Sequence, residues 1–113
     1  MFRPTHCIIH LSALRHNFRE LKKKAPHHFL MGMVKANAYG HGSVEVAKVL
    51  AEEGAPLLGV ASVEEGIELR NAGIQTPILC LGGPLGASAQ DLIEHQLSPV
   101  VFNRESVEKL CSE

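Results

Sequence analysis

Phe29-Leu30-Met31-Gly32-Met33-Val34-Lys35-Ala36-Asn37-Ala38-Tyr39-Gly40-His41-Gly42 joins an apolar run to a single lysine, then to small residues and glycines. Such a short apolar run suits a strand buried on both faces of a parallel α/β sheet. The lysine then falls at the strand's C-terminal end, where function collects in such sheets. An apolar floor disfavours the charged form of an amine and leaves it free to attack a carbonyl. Tyr39 follows four residues later, flanked by glycines that let the backbone turn. Its hydroxyl is within reach of a phosphate whose aldehyde is held by Lys35. The same spacing equally suits a solvated lysine and a surface aromatic, and spacing alone favours that plainer reading.

Outward from this stretch the chain alternates strand and helix. Before it, His6 to Leu11 reads as a short strand, and Ser12 as the N-cap of a helix with Leu14, Phe18 and Leu21 on its apolar face. Lys22-Lys23-Lys24 suits the C-terminal end of that helix, where the dipole favours cations. After it, Ser43 is a candidate N-cap, Val46, Val49 and Leu50 form an apolar face, and Gly54 is placed to end the helix. Leu57 to Ala61 is the next buried strand. Ser62-Val63-Glu64-Glu65 fits a capping box for a helix running through Ile67 and Leu69 to Gly73. Ile78 to Leu81 is a third strand, and Ser88 to His95 a helix anchored by Leu92 and Ile93. Pro99 to Phe102 is the fourth strand, and Asn103 caps a last helix carrying Val107 and Leu110.

Four strand–helix units with short connections imply right-handed βαβ crossovers and a parallel sheet. Residues 1–28 form a leading strand and helix, and residues 29–113 the four units. A (β/α)8 barrel takes about 250 residues, so four units amount to half of one. Periodicity does not distinguish that half-barrel from a small open sheet.

Composition narrows the function classes. The 113 residues suffice for one modest domain, with 45% hydrophobic content and few aromatics. A formal charge of −1 offers no basic surface for nucleic acid or anionic membrane. Cys7, Cys80 and Cys111 are odd in number and scattered, which suits a reducing cytoplasm better than a disulfide framework or zinc site. No run has signal or membrane-spanning length, so a cytoplasmic protein is expected. His6 and His10 share a strand face and His27-His28 are adjacent, but neither pair offers a third ligand, and no metal is expected. No Ser/His/Asp or Cys/His order suggests a nucleophilic triad. Gly82-Gly83-Pro84-Leu85-Gly86 lacks the lysine and hydroxyl of a P-loop, and Leu81 before it suits an apolar pocket wall. His41 and Asn37 read as a backbone-bonded or solvated histidine and a loop-shaping residue.

Val34-Lys35-Ala36-Asn37-Ala38-Tyr39-Gly40-His41-Gly42 closely resembles the pyridoxal-phosphate attachment site of alanine racemases. The resemblance extends along the chain: Gly59-Val60-Ala61-Ser62 with Glu64-Glu65 looks like the family's second barrel unit, and Pro77 to Gly83 like its third. It departs at His10, where the family usually carries an acidic residue. What the resemblance implies is the first half of a (β/α)8 barrel of fold type III, with pyridoxal 5'-phosphate as cofactor. Lys35 would be the Schiff-base lysine and one of two bases, and Tyr39 a ligand of the cofactor phosphate. The reaction implied is interconversion of L-alanine and D-alanine, supplying D-alanine for peptidoglycan, in a homodimer.

The family's second base is a tyrosine from the other subunit, and its remaining cofactor clamps lie later in the chain. Tyr39 is the single tyrosine here, so the chain alone is expected not to racemise alanine at an enzymatic rate. Ending at Glu113, in mid-barrel, it would expose sheet edges and dimerise, pair with a complementary half or aggregate. Two rivals share the sequence features: a racemase for serine or a broader set of amino acids, and a truncated or non-catalytic pyridoxal-phosphate-binding module.

Overall fold

The computed structural model describes residues 2–112. Its first regular element is the helix α1 (Leu11–Lys24). There follow β1 (Met31–Met33), the single turn α2 (Lys35–Tyr39), α3 (Ser43–Glu52), β2 (Leu57–Val60), α4 (Val63–Asn71), β3 (Ile78–Cys80), α5 (Ala89–Glu94), β4 (Leu97–Pro99) and α6 (Arg104–Ser112).

The four strands form one parallel sheet in the order β1-β2-β3-β4. Gly32 pairs with Leu58, Leu58 with Ile78, and Ile78 with Leu97, so one row crosses the whole sheet. Sequential order with crossovers of one hand puts every connecting helix on the same face, as in a barrel wall. A doubly wound sheet would reverse direction at a switch point. The helix-covered face carries the core: Leu58, Val60, Ile78 and Cys80 are at most 1% exposed and pack with Val46, Ala47, Leu50 and Leu69. Gly32 faces this layer, because a Cβ there would lie 2.5 Å from Leu50 Cδ1. Met31, Met33 and Leu79 point to the other face and stay half-exposed.

Helix ends follow their residues. Ala55 N–H bonds Leu50 O and Gly54 N–H bonds Ala51 O, while Ile74 and Gly73 bond Leu69 and Arg70 in the same way. These are paired αL terminations at Gly54 and Gly73, whose φ values are +80° and +88°. Lys22, Lys23 and Lys24 occupy the last turn of α1, and Asn103 Oδ1 accepts the Ser106 N–H at 2.9 Å at the start of α6.

Several expected details are corrected. His6 to Leu11 is no strand: the segment pairs with nothing in the described sheet, and Leu11 already opens α1. Ser12 lies inside α1, whose N-cap is His10 without a side-chain bond. The fourth strand sits two residues earlier than the Pro99–Phe102 run, because Leu97 is the buried residue in register with Ile78 and Phe102 is 68% exposed. Leu21 and Ile93 point outward, at 57% and 76% exposure, leaving Phe18 and Leu92 as the buried anchors.

Candidate functional site

Lys35 stands immediately after β1, at the C-terminal end of the sheet. The burial alternation of Met31, Gly32, Met33 and Val34 runs on to Lys35, which is half-buried on the face away from the helices. Leu81, one residue past β3, is half-buried on the same alternation. Among the described residues Lys35 makes no ion pair, so its amine is not tied to a carboxylate.

The turn that follows is left-handed. Ala36, Asn37, Ala38 and Tyr39 have φ of +50°, +55°, +53° and +54°. None is glycine, and each non-glycine residue in this region costs roughly 1–2 kcal/mol. Such strain persists only where neighbours over-determine it, and it clusters at functional sites. Here the neighbours are visible. Ala38 N–H bonds Val34 O at 3.0 Å, and the Ala38 side chain is 4% exposed. Asn37 O accepts the Gly40 and Gly42 N–H groups at 3.1 and 3.0 Å. Gly40 and Gly42, at φ +89° and +93°, carry the chain out of the turn.

Two side chains complete the frame. Asn37 Oδ1 accepts the Ser43 N–H at 2.9 Å, capping α3 from six residues upstream. Ser43 itself is the first residue of α3, after the N-cap Gly42, and does not cap it. His41 Nδ1 lies 2.9 Å from Ala38 O and donates its proton to that carbonyl.

Glu65 reaches the same turn from α4. Its Oε1 accepts the Ala36 N–H at 2.9 Å and its Oε2 the Ala61 N–H at 2.6 Å. Ser62 Oγ accepts the Glu65 N–H, so one half of the expected capping box is present. The other half is diverted, because the carboxylate bridges two strand ends. A reciprocal box forms instead at Ser88 and Asp91.

Tyr39 ends the turn with its side chain 62% exposed. An amine and a phenol thus stand on one short, rigid turn at the sheet's C-terminal mouth, both open to a ligand. Cys80 offers no rival nucleophile, since it is fully buried and burial pushes its thiol up. Gly82-Gly83-Pro84-Leu85-Gly86 forms a turn past β3 with Leu85 76% exposed. Among the described residues no group of three or more His, Cys, Asp or Glu is placed to hold a metal ion.

Sequence reasoning placed Lys35 at the strand end and Tyr39 beside it. It missed the handedness of the turn and the reach of Glu65. The string Ala36-Asn37-Ala38-Tyr39 contains no glycine to signal positive φ, and only Asn37 is enriched there. The residue spacing of a capping box said nothing of a carboxylate turned toward a neighbouring strand.

A parallel sheet in sequential order with a lysine at its C-terminal mouth fits the wall of a (β/α)8 barrel, a class that carries its sites on strand-end turns. The family model described as "Alanine racemase, N-terminal domain" matches residues 9–113. The alanine racemase of Carboxydothermus hydrogenoformans is 47% identical over 103 residues, covering 91% of this chain and 28% of that protein. That of Symbiobacterium thermophilum is 49% identical over 105 residues, covering 91% and 27%. The solved alanine racemase of Clostridium difficile in complex with cycloserine superposes with a TM-score of 0.89 at 39% identity, over 99% of this chain and 31% of that one. The chain belongs to the alanine racemase family and matches the N-terminal portion of its barrel. It spans less than a third of the length of these relatives.

Proposed function

We propose that this chain is the lysine-bearing part of a pyridoxal-phosphate-dependent alanine racemase, with Lys35 as the Schiff-base lysine and one of its two bases. The observation that carries the proposal is the strained turn Ala36–Tyr39, built of non-glycine residues and braced from three sides directly after Lys35. Family membership supports the reaction class. The donor set suits the cofactor: a half-buried amine free of carboxylates can condense with an aldehyde, and the exposed phenol four residues on can donate to a phosphate.

Bound pyridoxal phosphate would supply an electron sink for the α-carbon of an amino acid. Lys35 would hold the cofactor covalently at Nζ, give way to the substrate amine, and then exchange the α-proton on the D-alanine face. Tyr39 would orient the cofactor by its phosphate. Met31, Met33 and Leu81, half-exposed on the same sheet face, would supply the apolar floor. Proton exchange on both faces of the α-carbon would call for a second base besides Lys35, and Tyr39, assigned to the phosphate, is the one tyrosine of the chain. A second base of the family's tyrosine type would come from another segment or subunit. We propose accordingly that the chain works in a homo-oligomer or with a complementary barrel half, in the cytoplasm, in D-alanine supply for peptidoglycan.

The test is proton exchange without inversion. With pyridoxal phosphate in D2O, the chain should place deuterium at the α-carbon of D-alanine faster than of L-alanine, with negligible racemisation. Rapid racemisation by the chain alone would overturn the two-base division. No exchange above free cofactor, and none lost in Lys35→Ala, would overturn the role of Lys35.

A further inference from the structure

The carboxylate of Glu65 occupies the place of a missing rung in the sheet. β1 and β2 are in register at Met33 and Gly59, and the Val34 N–H continues the ladder to Gly59 O at 2.9 Å. Parallel strands bond at every second residue, so the next donor of β1 is the Ala36 N–H and its regular acceptor would be Ala61 O. The chain does not continue as a strand, because Ala36 already has φ +50°. Ala61 O instead accepts the Gly82 N–H of the next strand's end at 2.9 Å. The regular acceptor of the Ala61 N–H, Val34 O, takes the Ala38 N–H of the turn at 3.0 Å. The Ala36 and Ala61 N–H groups thus both leave the ladder, and Glu65 takes one on each carboxylate oxygen.

Lys35 lies between two fixed points. The N–H before it, at Val34, is bonded to β2, and the N–H after it, at Ala36, is bonded to Glu65. Its φ and ψ are set by the sheet on one side and by this carboxylate on the other. Glu65 is held in turn by its own N–H, which donates to Ser62 Oγ, and by α4, whose Leu69 is 1% exposed in the core. Charge-assisted bonds to a carboxylate are about twice as strong as neutral ones. A glutamine cannot replace this one, since its side chain has a single acceptor oxygen and its NH2 group would face a donor.

We propose that Glu65 is the positioning residue for Lys35, setting the left-handed turn that aims the lysine amine by binding the Ala36 and Ala61 N–H groups at once. The inference rests on the reading that Lys35 captures the cofactor, and it deepens that reading by naming what holds the lysine in place.

The test uses the 113-residue chain carrying Glu65→Gln or Glu65→Ala, with Arg70→Lys as a control, because Arg70 sits at the other end of α4 and bonds the Ile74, Thr76, His95 and Gln96 carbonyls. Amide exchange is followed by NMR at Ala36 and Ala61. The distribution of borohydride-fixed pyridoxal phosphate over the lysines is mapped by mass spectrometry. Glu65→Gln should speed exchange at Ala36 by about tenfold, with β3 and β4 amides unchanged, and should lower the share of label on Lys35. Arg70→Lys should not alter that share. Unchanged exchange at Ala36 in both Glu65 variants would overturn the proposal. So would a loss of Lys35 label matched by the control at equal melting temperature. If wild type places no label on Lys35, the cofactor reading fails, while exchange at Ala36 still decides whether Glu65 sets the turn.

Discussion

Asn37 caps a helix to which it does not belong: its Oδ1 accepts the Ser43 N–H at 2.9 Å, across six residues that include the end of a left-handed turn. One side chain thus couples the turn after Lys35 to the first turn of α3. Asn is among the few residue types that tolerate φ of +55° and also offer an acceptor. Asn37→Ala should lower stability by about 1 kcal/mol, the usual value of an N-cap, read as a shift in the denaturant midpoint. Asn37→Asp should retain most of it. Equal loss in both variants would contradict the capping role.

Ala36 is exposed and carries φ +50°. Glycine relieves the left-handed penalty but adds freedom to the unfolded chain, leaving a net gain of about 0.5 kcal/mol. Ala36→Gly should therefore be neutral to slightly stabilising, whereas Ala36→Val, with its branched Cβ, should be strongly destabilising. Thermal melts of the two variants decide it, and a stable Val variant would contradict the strain.

How much of this was legible in the sequence differs element by element. The positions of β2 and β3 were, because Leu58, Val60 and Ile78 sit in short apolar runs bounded by Pro, Gly and Ser. The terminations at Gly54 and Gly73 were, because glycine there has one physical meaning. The segment before Leu11 was not, since Ile8 and Ile9 look like a strand whether or not a partner strand lies beside them. Lys35 and Tyr39 were visible as a pair in the motif. Glu65 was visible only as a helix-start residue, because its second partner is 29 residues away in sequence. The backbone carbonyls that bind Arg70 leave no mark on residue identity at all.

Arg70 joins two connections through those carbonyls. Its guanidinium donates to Ile74 O and Thr76 O, at 2.7 and 2.8 Å, and to His95 O and Gln96 O, at 2.9 Å each. Lysine has a point charge and no planar fork, so it cannot span both loops. Arg70→Lys should cost about 1.5–3 kcal/mol, measured by denaturant unfolding, with α1 and the Lys35 turn unaffected.

Acid should loosen α1 from α3. Glu53, at the end of α3, accepts from Arg19 Nε at 2.6 Å and Arg15 Nη1 at 2.6 Å. These bonds, Arg19 first, hold its carboxyl down at about 2. A folded-state value below the unfolded one gives stability that is fully present above the ordinary glutamate range. It is lost as pH falls from that range toward about 2. Glu53→Gln should flatten the acid limb of the stability curve between these limits and lower stability at neutral pH. An unchanged acid limb would mean the ion pairs do not form in solution.

On the proposed function, this stretch of barrel already presents Lys35 as a cofactor lysine. The most direct test is capture: add pyridoxal phosphate to the purified chain, follow the visible absorbance of the lysine-bound cofactor, reduce with borohydride and map the labelled peptide. The prediction is label concentrated on Lys35 and abolished by Lys35→Ala. Label scattered over Lys22, Lys23 and Lys24, with none enriched on Lys35, would contradict it.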